Sequence, residues 1–369
     1  MENRLLNKRK VKFGIFESAL ASILFIIYNF LFVQLYLSIF PDGAPAETFA
    51  MFVVQFLLEA MFAVTAVTVA LSKRVNIVKA SGLKKRINAK LVLLALGVAA
   101  ASLYGFGHLT TVFLEILQLL GYKSVLRDIS ITTFWQYCGY VIASCAAPAF
   151  CEELLFRGTI LSGLKEYGLK IAVFVSAIIF TFMHGSAEQT VHQFIIGVLV
   201  GYIFFKTGNL WIGIVVHFFN NFISVTQAYM LSFQSESAEV ATTAITPMSF
   251  IVDVIVAGIM FYVGYIMIKW LLERILIEDE KLNSVEEPLM VDKKQAILVD
   301  GEEVVTEVVL EGVPVEDVAA SDMAEASGVK EEVEEKKPLS MSVVAMFALS
   351  GCFLLFEWIA NLLKGLGII

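Results

Sequence analysis

The sequence predicts an all-α fold, a polytopic transmembrane helical bundle of eight to nine spans. The 369-residue chain is 58% hydrophobic with a mean hydropathy of +0.78, more than one soluble core requires. Several windows also exceed the roughly 18 consecutive apolar residues that mark a membrane span. Charge is segregated as well: residues 278–338 hold 19 Asp/Glu against 6 Lys/Arg, a local net of −13, so the overall −8 leaves +5 for the remainder. The membrane part is mildly basic and the acidity belongs to one loop.

Apolar runs predict spans over 13–40, 48–71, 89–120, 131–150, 170–184, 190–206, 210–230, 249–272 and 340–363. The first has a basic flank and is followed by Ala44-Pro45-Ala46, which imitates a secretory signal with its cleavage site. Its apolar region is nearly twice the usual ~7–15 residues, so it is read as a retained span. The third carries a potential break at 105–107. Arg4, Lys8, Arg9, Lys10 and Lys12 precede the first span, and Lys73, Arg74, Lys79, Lys84, Lys85, Arg86 and Lys90 separate the second from the third. This bias predicts a multi-pass protein of the cell membrane with a cytoplasmic amino terminus. The expected organisation is amino-terminal helices over 1–130, a polar-bearing core over 131–230, an outer loop and helix over 231–277, an acidic cytoplasmic loop over 278–338 and a last helix over 339–369.

Cys138, Cys145, Cys151 and Cys352 fall in or beside apolar spans, without disulfide or CxxC spacing, and are expected as small buried hydrophobes. The acidic loop is expected to be largely disordered, except that 296–299 and 304–309 read as β-prone runs around an Asp300-Gly301 turn. A cytoplasmic partner for this loop is one expectation; a nucleic-acid partner is not.

Three polar islands interrupt the apolar spans. Cys151-Glu152-Glu153-Leu154-Leu155-Phe156-Arg157 directly follows the fourth run, although a charge at mid-bilayer costs about 2.5–3.5 kcal/mol on insertion scales. Glu153 and Arg157 stand four apart, the spacing of an ion pair, while Glu152 points about 100° away and is left free. His184 ends the fifth run. His217 and Asn221 share one face of the seventh, with Asn220 at i+3 from His217, and buried groups of this kind demand partners. His184, Glu188 and His192 repeat at four-residue intervals, but Gly185-Ser186 makes one continuous helix through them doubtful, and His108 is read as structural. Cys151 is not read as a nucleophile, because its neighbours are two carboxylates and a thiolate needs an electropositive surround.

Glu152-Glu153-x-x-x-Arg157-Gly158, Phe180-x-x-x-His184 and His217-x-x-x-Asn221, with Lys206-Thr207-Gly208-Asn209-Leu210 ahead of the last, together resemble the CPBP family of intramembrane proteases. This is the CAAX prenyl protease and bacteriocin-processing, or Abi, family, and the likeness covers roughly 130–230. It implies an all-α core with a polar intramembrane cavity and a water activated to hydrolyse a peptide bond. By position, Glu152 and His184 would activate that water, Glu153 and Arg157 would organise the motif, and His217 with Asn221 would stabilise the oxyanion. The partners implied are the bilayer and a membrane-associated peptide or lipidated protein. Family members are often described as metalloproteases, but no HExxH is present here. The expectation is a metal-free Glu/His mechanism; the alternative is Zn2+ on Glu152, His184 and His217, with Glu153 as base. A transporter or an idle scaffold using the same polar residues for binding stays open as an alternative function.

One point resists these spans. They put Glu152 near the inner end of one helix and His184 near the outer end of the next, whereas shared chemistry needs both within about 3–4 Å of one water. Either Pro148 breaks the fourth span, or the fifth is short and sunk into the protein.

Overall fold

The computed structural model describes residues 12–41, 49–125, 131–233, 245–284, 294–299, 302–307 and 340–369. The described helices of spanning character are α1 (Ile15–Ile39), α2 (Phe49–Ser72), α3 (Ala89–Leu119), α4 (Phe134–Tyr167), α5 (Leu169–Met183), α6 (Thr190–Thr207), α7 (Leu210–Ser232), α8 (Pro247–Asn283) and α9 (Met341–Gly365). All but α5 are long and apolar enough to cross a membrane, and α5 has 15 residues. The protein is an all-α, multi-pass helical bundle. In α4 67% of the most apolar window is buried, against 17% in α1, α2, α8 and α9, so α4 forms the centre and the others turn apolar faces outward.

Side-chain caps set several starts. Thr133 accepts from Gln136 N in a capping box that opens α4, Asn88 caps α3, Asn209 caps α7 and Ser340 caps α9. Helix α6 ends on Gly208 at φ +60°, where only glycine sits without strain.

The fourth span differs most from expectation. It neither ends at 150 nor breaks at Pro148 but continues to Tyr167. Proline lacks an N–H and crowds the carbonyl four residues back, and α4 accommodates this by widening into a π-helical stretch over Val141–Ala146, where Ala147 N donates to Ile142 O. A second π-helical stretch covers Phe156–Leu161. Hydroxyls serve the carbonyls around it: Thr159 donates to Leu154 O, Ser162 to Arg157 O, Ser176 to Phe156 O and Ser18 to Ile160 O. Within a membrane these donors stand where water cannot.

Helix α3 is unbroken at 105–107. A Cβ on Gly105 would come within 2.7 Å of Gly264 Cα, so Gly105 marks a close crossing of α3 and α8 rather than a kink. Helix α8 extends past the expected 272 to Asn283. Glu278 and Asp279, the first residues assigned to the acidic loop, are helical and buried. Glu278 takes Lys90 Nζ at 2.5 Å and Asn88 Nδ2 at 2.8 Å, and Asp279 takes Asn209 Nδ2 at 2.8 Å. Part of the counted acidity is therefore bound to the basic 73–90 segment.

The second compact unit, residues 281–339, contains an antiparallel hairpin of β1 (Lys294–Val299) and β2 (Glu302–Glu307), with Val299 opposite Glu302. Only residues 300 and 301 separate the strands, so the second strand begins two residues before the expected 304. The remainder of the acidic loop with its expected disorder, the basic residues of the amino-terminal flank before Lys12, and Ala44-Pro45-Ala46 lie outside the described residues. Cys145 is buried and Cys138 and Cys151 half-buried, but Cys352 is exposed.

Candidate active site

Continuity of α4 bears on the depth conflict. Glu152 precedes Gly168 by sixteen residues and His184 follows it by sixteen. The chain passes from α4 to α5 at this glycine, so the two residues stand the same number of positions from one fold point. Helix α5 is short: it stops at Met183, His184 is its C-cap, and Gly185 at φ +57° turns the chain away.

The carboxylates divide as their spacing implies. Arg157 and Glu153 are both 0% exposed, and Arg157 Nη1 donates to Glu153 Oε1 at 2.8 Å. Nη2 donates to Gly197 O at 3.2 Å, and the guanidinium lies 4.5 Å from the Phe180 ring centroid. Glu153 Oε1 also accepts from His217 Nδ1 at 2.9 Å. A carboxylate only accepts, so the hydrogen is on Nδ1, and Nε2 faces Glu152 Oε2 at 4.0 Å. Glu152 is buried, and its Oε2, like Glu153 Oε2, has no hydrogen-bond partner among the described residues.

His184 Nδ1 lies 2.8 Å from Phe180 O, and since a carbonyl only accepts, Nε2 carries the lone pair. Phe180 joins the parts. Its ring meets His184 at 4.9 Å and His217 edge-on at 5.9 Å, and it is packed edge-to-face by Phe156 at 5.0 Å. Gly213 allows α7 to pack closely on α6 beside Glu153, for a Cβ there would stand 2.8 Å from Val200 Cγ1.

Asn221 sits one turn beyond His217 but is engaged elsewhere. Its Nδ2 donates to Ser144 O at 3.1 Å, the carbonyl that would have bonded the N–H Pro148 lacks, and its Oδ1 accepts from Asn220 Nδ2 at 3.2 Å. Asn220 Nδ2 also lies 3.1 Å from His192 Nε2. Glu188 turns away, accepting from Ser124 Oγ, Val125 N and Tyr122 OH, so His184, Glu188 and His192 share no helix face. Burial, with Glu188 beside it, raises the Tyr122 phenol to about 12.

The zinc alternative requires three converging ligands. Among the described residues no group of three or more His, Cys, Asp or Glu side chains is placed to hold an ion. The Nδ1 bonds of His184 and His217 leave the Nε2 atom of each ring turned to the site.

Two contributors escaped the sequence reading. Glu59 of α2 is a buried carboxylate that accepts from Gln55 Nε2 at 2.8 Å, and Asn361 of α9 accepts from Ala187 N at 3.1 Å, three residues after His184. For Glu59 the signal was present: an acidic residue mid-span, with Gln55 one turn before it, meets the same criterion that singled out Glu152. Asn361, near a helix end, carries no such mark.

Residues 133–223 match the family model described as Type II CAAX prenyl endopeptidase Rce1-like. The matched segment, about a quarter of the chain, is similar to that family; it runs from the start of α4 into α7 and contains every motif residue from Glu152 to Asn221, whereas α1, α2, α3, α8 and α9 lie outside it. No curated protein and no solved structure matches the chain.

Proposed function

We propose that this protein is an intramembrane endopeptidase that hydrolyses a peptide bond in a membrane-associated protein or peptide. The observation that carries this reading is the division of labour between adjacent carboxylates. Glu153 is neutralised by Arg157 and orients His217, while Glu152 makes no ion pair with Arg157 and sets its Oε2, without a donor among the described residues, 4.0 Å from His217 Nε2. A buried base freed from its neighbour's ion pair is what activation of a water requires.

In this reading Glu152 takes a proton from water, whose oxygen adds to the scissile carbonyl carbon. His184, with its Nε2 lone pair available, positions that water and shuttles the proton to the leaving amine as the C–N bond breaks. His217 and Asn221 stabilise the oxyanion. His217 donates from Nε2 only when both ring nitrogens carry hydrogen, and Asn221 must turn its amide from Ser144 O toward substrate. Both requirements couple substrate entry to local rearrangement beside the π-helical stretch. No metal enters any step.

The description of the matched family points to prenylated carboxyl-terminal substrates, and the basic 73–90 segment supports a cytoplasmic amino terminus, the side on which such substrates occur. The test compares wild type with Glu152→Gln on prenylated and unprenylated CAAX reporter peptides, with membrane peptidomics of both strains. Loss of cleavage in folded Glu152→Gln is expected; an active variant overturns the assignment. Activity is also expected to survive exhaustive chelation, and stoichiometric zinc whose removal abolishes turnover would reverse the metal-free reading.

A further inference from the structure

His192 stands in the first turn of α6 and takes no part in the steps above, yet two asparagines connect it to them. The chain of bonds starts at Ser144 O. A carbonyl only accepts, so Asn221 must present its Nδ2 to Ser144 O at 3.1 Å, and this leaves Asn221 Oδ1 for its neighbour. Asn220 meets that oxygen with its Nδ2 at 3.2 Å, and the same nitrogen lies 3.1 Å from His192 Nε2. An amide nitrogen has two hydrogens and only donates, so His192 Nε2 carries a lone pair and the ring hydrogen is on Nδ1. One carbonyl thus fixes two amides and one imidazole tautomer.

Asn220 is 3% exposed, and its Oδ1 is buried without a partner among the described residues. Inverting this amide would set oxygen against both Asn221 Oδ1 and the His192 lone pair. The orphaned oxygen therefore marks an orientation enforced by two acceptors. We propose that Asn220 and His192 are positioning residues that set the polarity of Asn221 as oxyanion donor. When Asn221 leaves Ser144 O for substrate, Asn220 still holds its Oδ1, so the end that meets the developing charge is Nδ2. An inverted Asn221 would offer a lone pair to the oxyanion and destabilise it. His192 in turn keeps Asn220 from inverting. This rests on the reading of Asn221 as an oxyanion donor, and it gives a role to a histidine outside the three motifs.

The full-length chain in nanodiscs permits a test that needs no substrate. Nitrogen NMR of histidine-labelled protein, with the His192 signals assigned by their loss in His192→Gln, should show hydrogen on Nδ1 and none on Nε2. In Asn220→Asp, where an acceptor replaces the donor, Nε2 should gain a hydrogen. Wild-type His192 with hydrogen on Nε2, or a tautomer indifferent to Asn220→Asp, would overturn the proposal. In turnover of a farnesylated CAAX peptide, Asn221→Ala should lower kcat about 10²–10³-fold, the usual loss for one oxyanion donor. His192→Leu, which removes the acceptor, should lower kcat about tenfold with KM within about twofold. His192→Gln, whose Oε1 can accept from Asn220, should recover to within about threefold of wild type. In an Asn221→Ala background His192→Leu should lower kcat no further, because the two act through one donor. A folded His192→Leu enzyme with wild-type kcat, or one whose loss adds in full to that of Asn221→Ala, would overturn the proposal while leaving the proposed function standing; wild-type kcat in Asn221→Ala would instead remove the oxyanion role and this proposal with it.

Discussion

Polar groups in the family-matched segment and in the helices around it are held differently. Inside the segment, pairs one turn apart, Glu153 with Arg157 and His184 with Phe180 O, are tied together by longer reaches of the same segment, His217 to Glu153 and Asn221 to Ser144 O. The surrounding helices reach across the chain, Asn88 to Glu278 and Tyr122 to Asn361, and into the segment at Ala187 N. Contacts within the segment arrange the motif residues, and the surrounding ones brace them. The core supplies a motif, and its surroundings decide whether the motif is assembled.

The sharpest way to break this contrast is in the core. Arg157→Ala should cost about 3–5 kcal/mol, because it leaves Glu153 charged and buried without its cation, and it should reduce folded yield and activity together. Arg157→Lys should rescue little, since one ammonium cannot reproduce the fork to Glu153 and Gly197 O. Equal folded yields by detergent size exclusion would remove the pair's structural importance.

Removing the surroundings comes next. Sequence alone suggests that a chain ended after 277 keeps its chemistry, since every motif residue precedes that point. The structure predicts otherwise. Such a chain lacks Glu278 and Asp279, which hold the basic segment, and Asn361 and Trp358, which hold residues 187–190 through Ala187 N and Thr190 Oγ1. Loss of most turnover with faster amide exchange over 184–192 is expected; a truncated enzyme of full activity would show that the braces are dispensable.

Asn361→Ala isolates one brace. Leaving Ala187 N unpaired should cost about 1–3 kcal/mol, read as local protease sensitivity after His184 with only partial loss of activity. An unchanged cleavage pattern would place the bracing elsewhere. The smallest effect concerns pH. Tyr122 has its phenol raised to about 12 beside Glu188, so its contribution to stability is intact below about pH 10 and is lost as pH rises through 12. Trp358 fluorescence, which reports on the adjacent Thr190 contact, should stay constant to pH 10 and change above it; a transition at neutral pH would contradict this.

How much was legible follows from the same distances. The Glu153–Arg157 pair, the shared face of His217 and Asn221 and the Asp-Gly hairpin were readable because spacing alone fixes them. The extent of α4 was not: a proline after an apolar run reads as an end, and only the serine and threonine hydroxyls of α1, α4 and α5, met in three dimensions, show how the widened turns are satisfied. Asn221 illustrates the other limit. Its position was readable, but its bond to Ser144 O depends on a helix far upstream.

The equal residue counts on either side of Gly168 have a consequence for where the candidate site can work. Glu152 and His184 are measured from the same hinge, so a vertical shift of the hairpin carries both and leaves their separation unchanged. Bilayers differ in thickness by several ångströms, and helices answer by tilting or sliding. A pair registered to the lipid surface would be sheared apart by such adjustments; a pair registered to a common fold point is not. Adding one residue to either arm alone, by contrast, would offset the partners by about 1.5 Å and rotate one of them by about 100°, so the ruler tolerates changes in its surroundings and none in its own length.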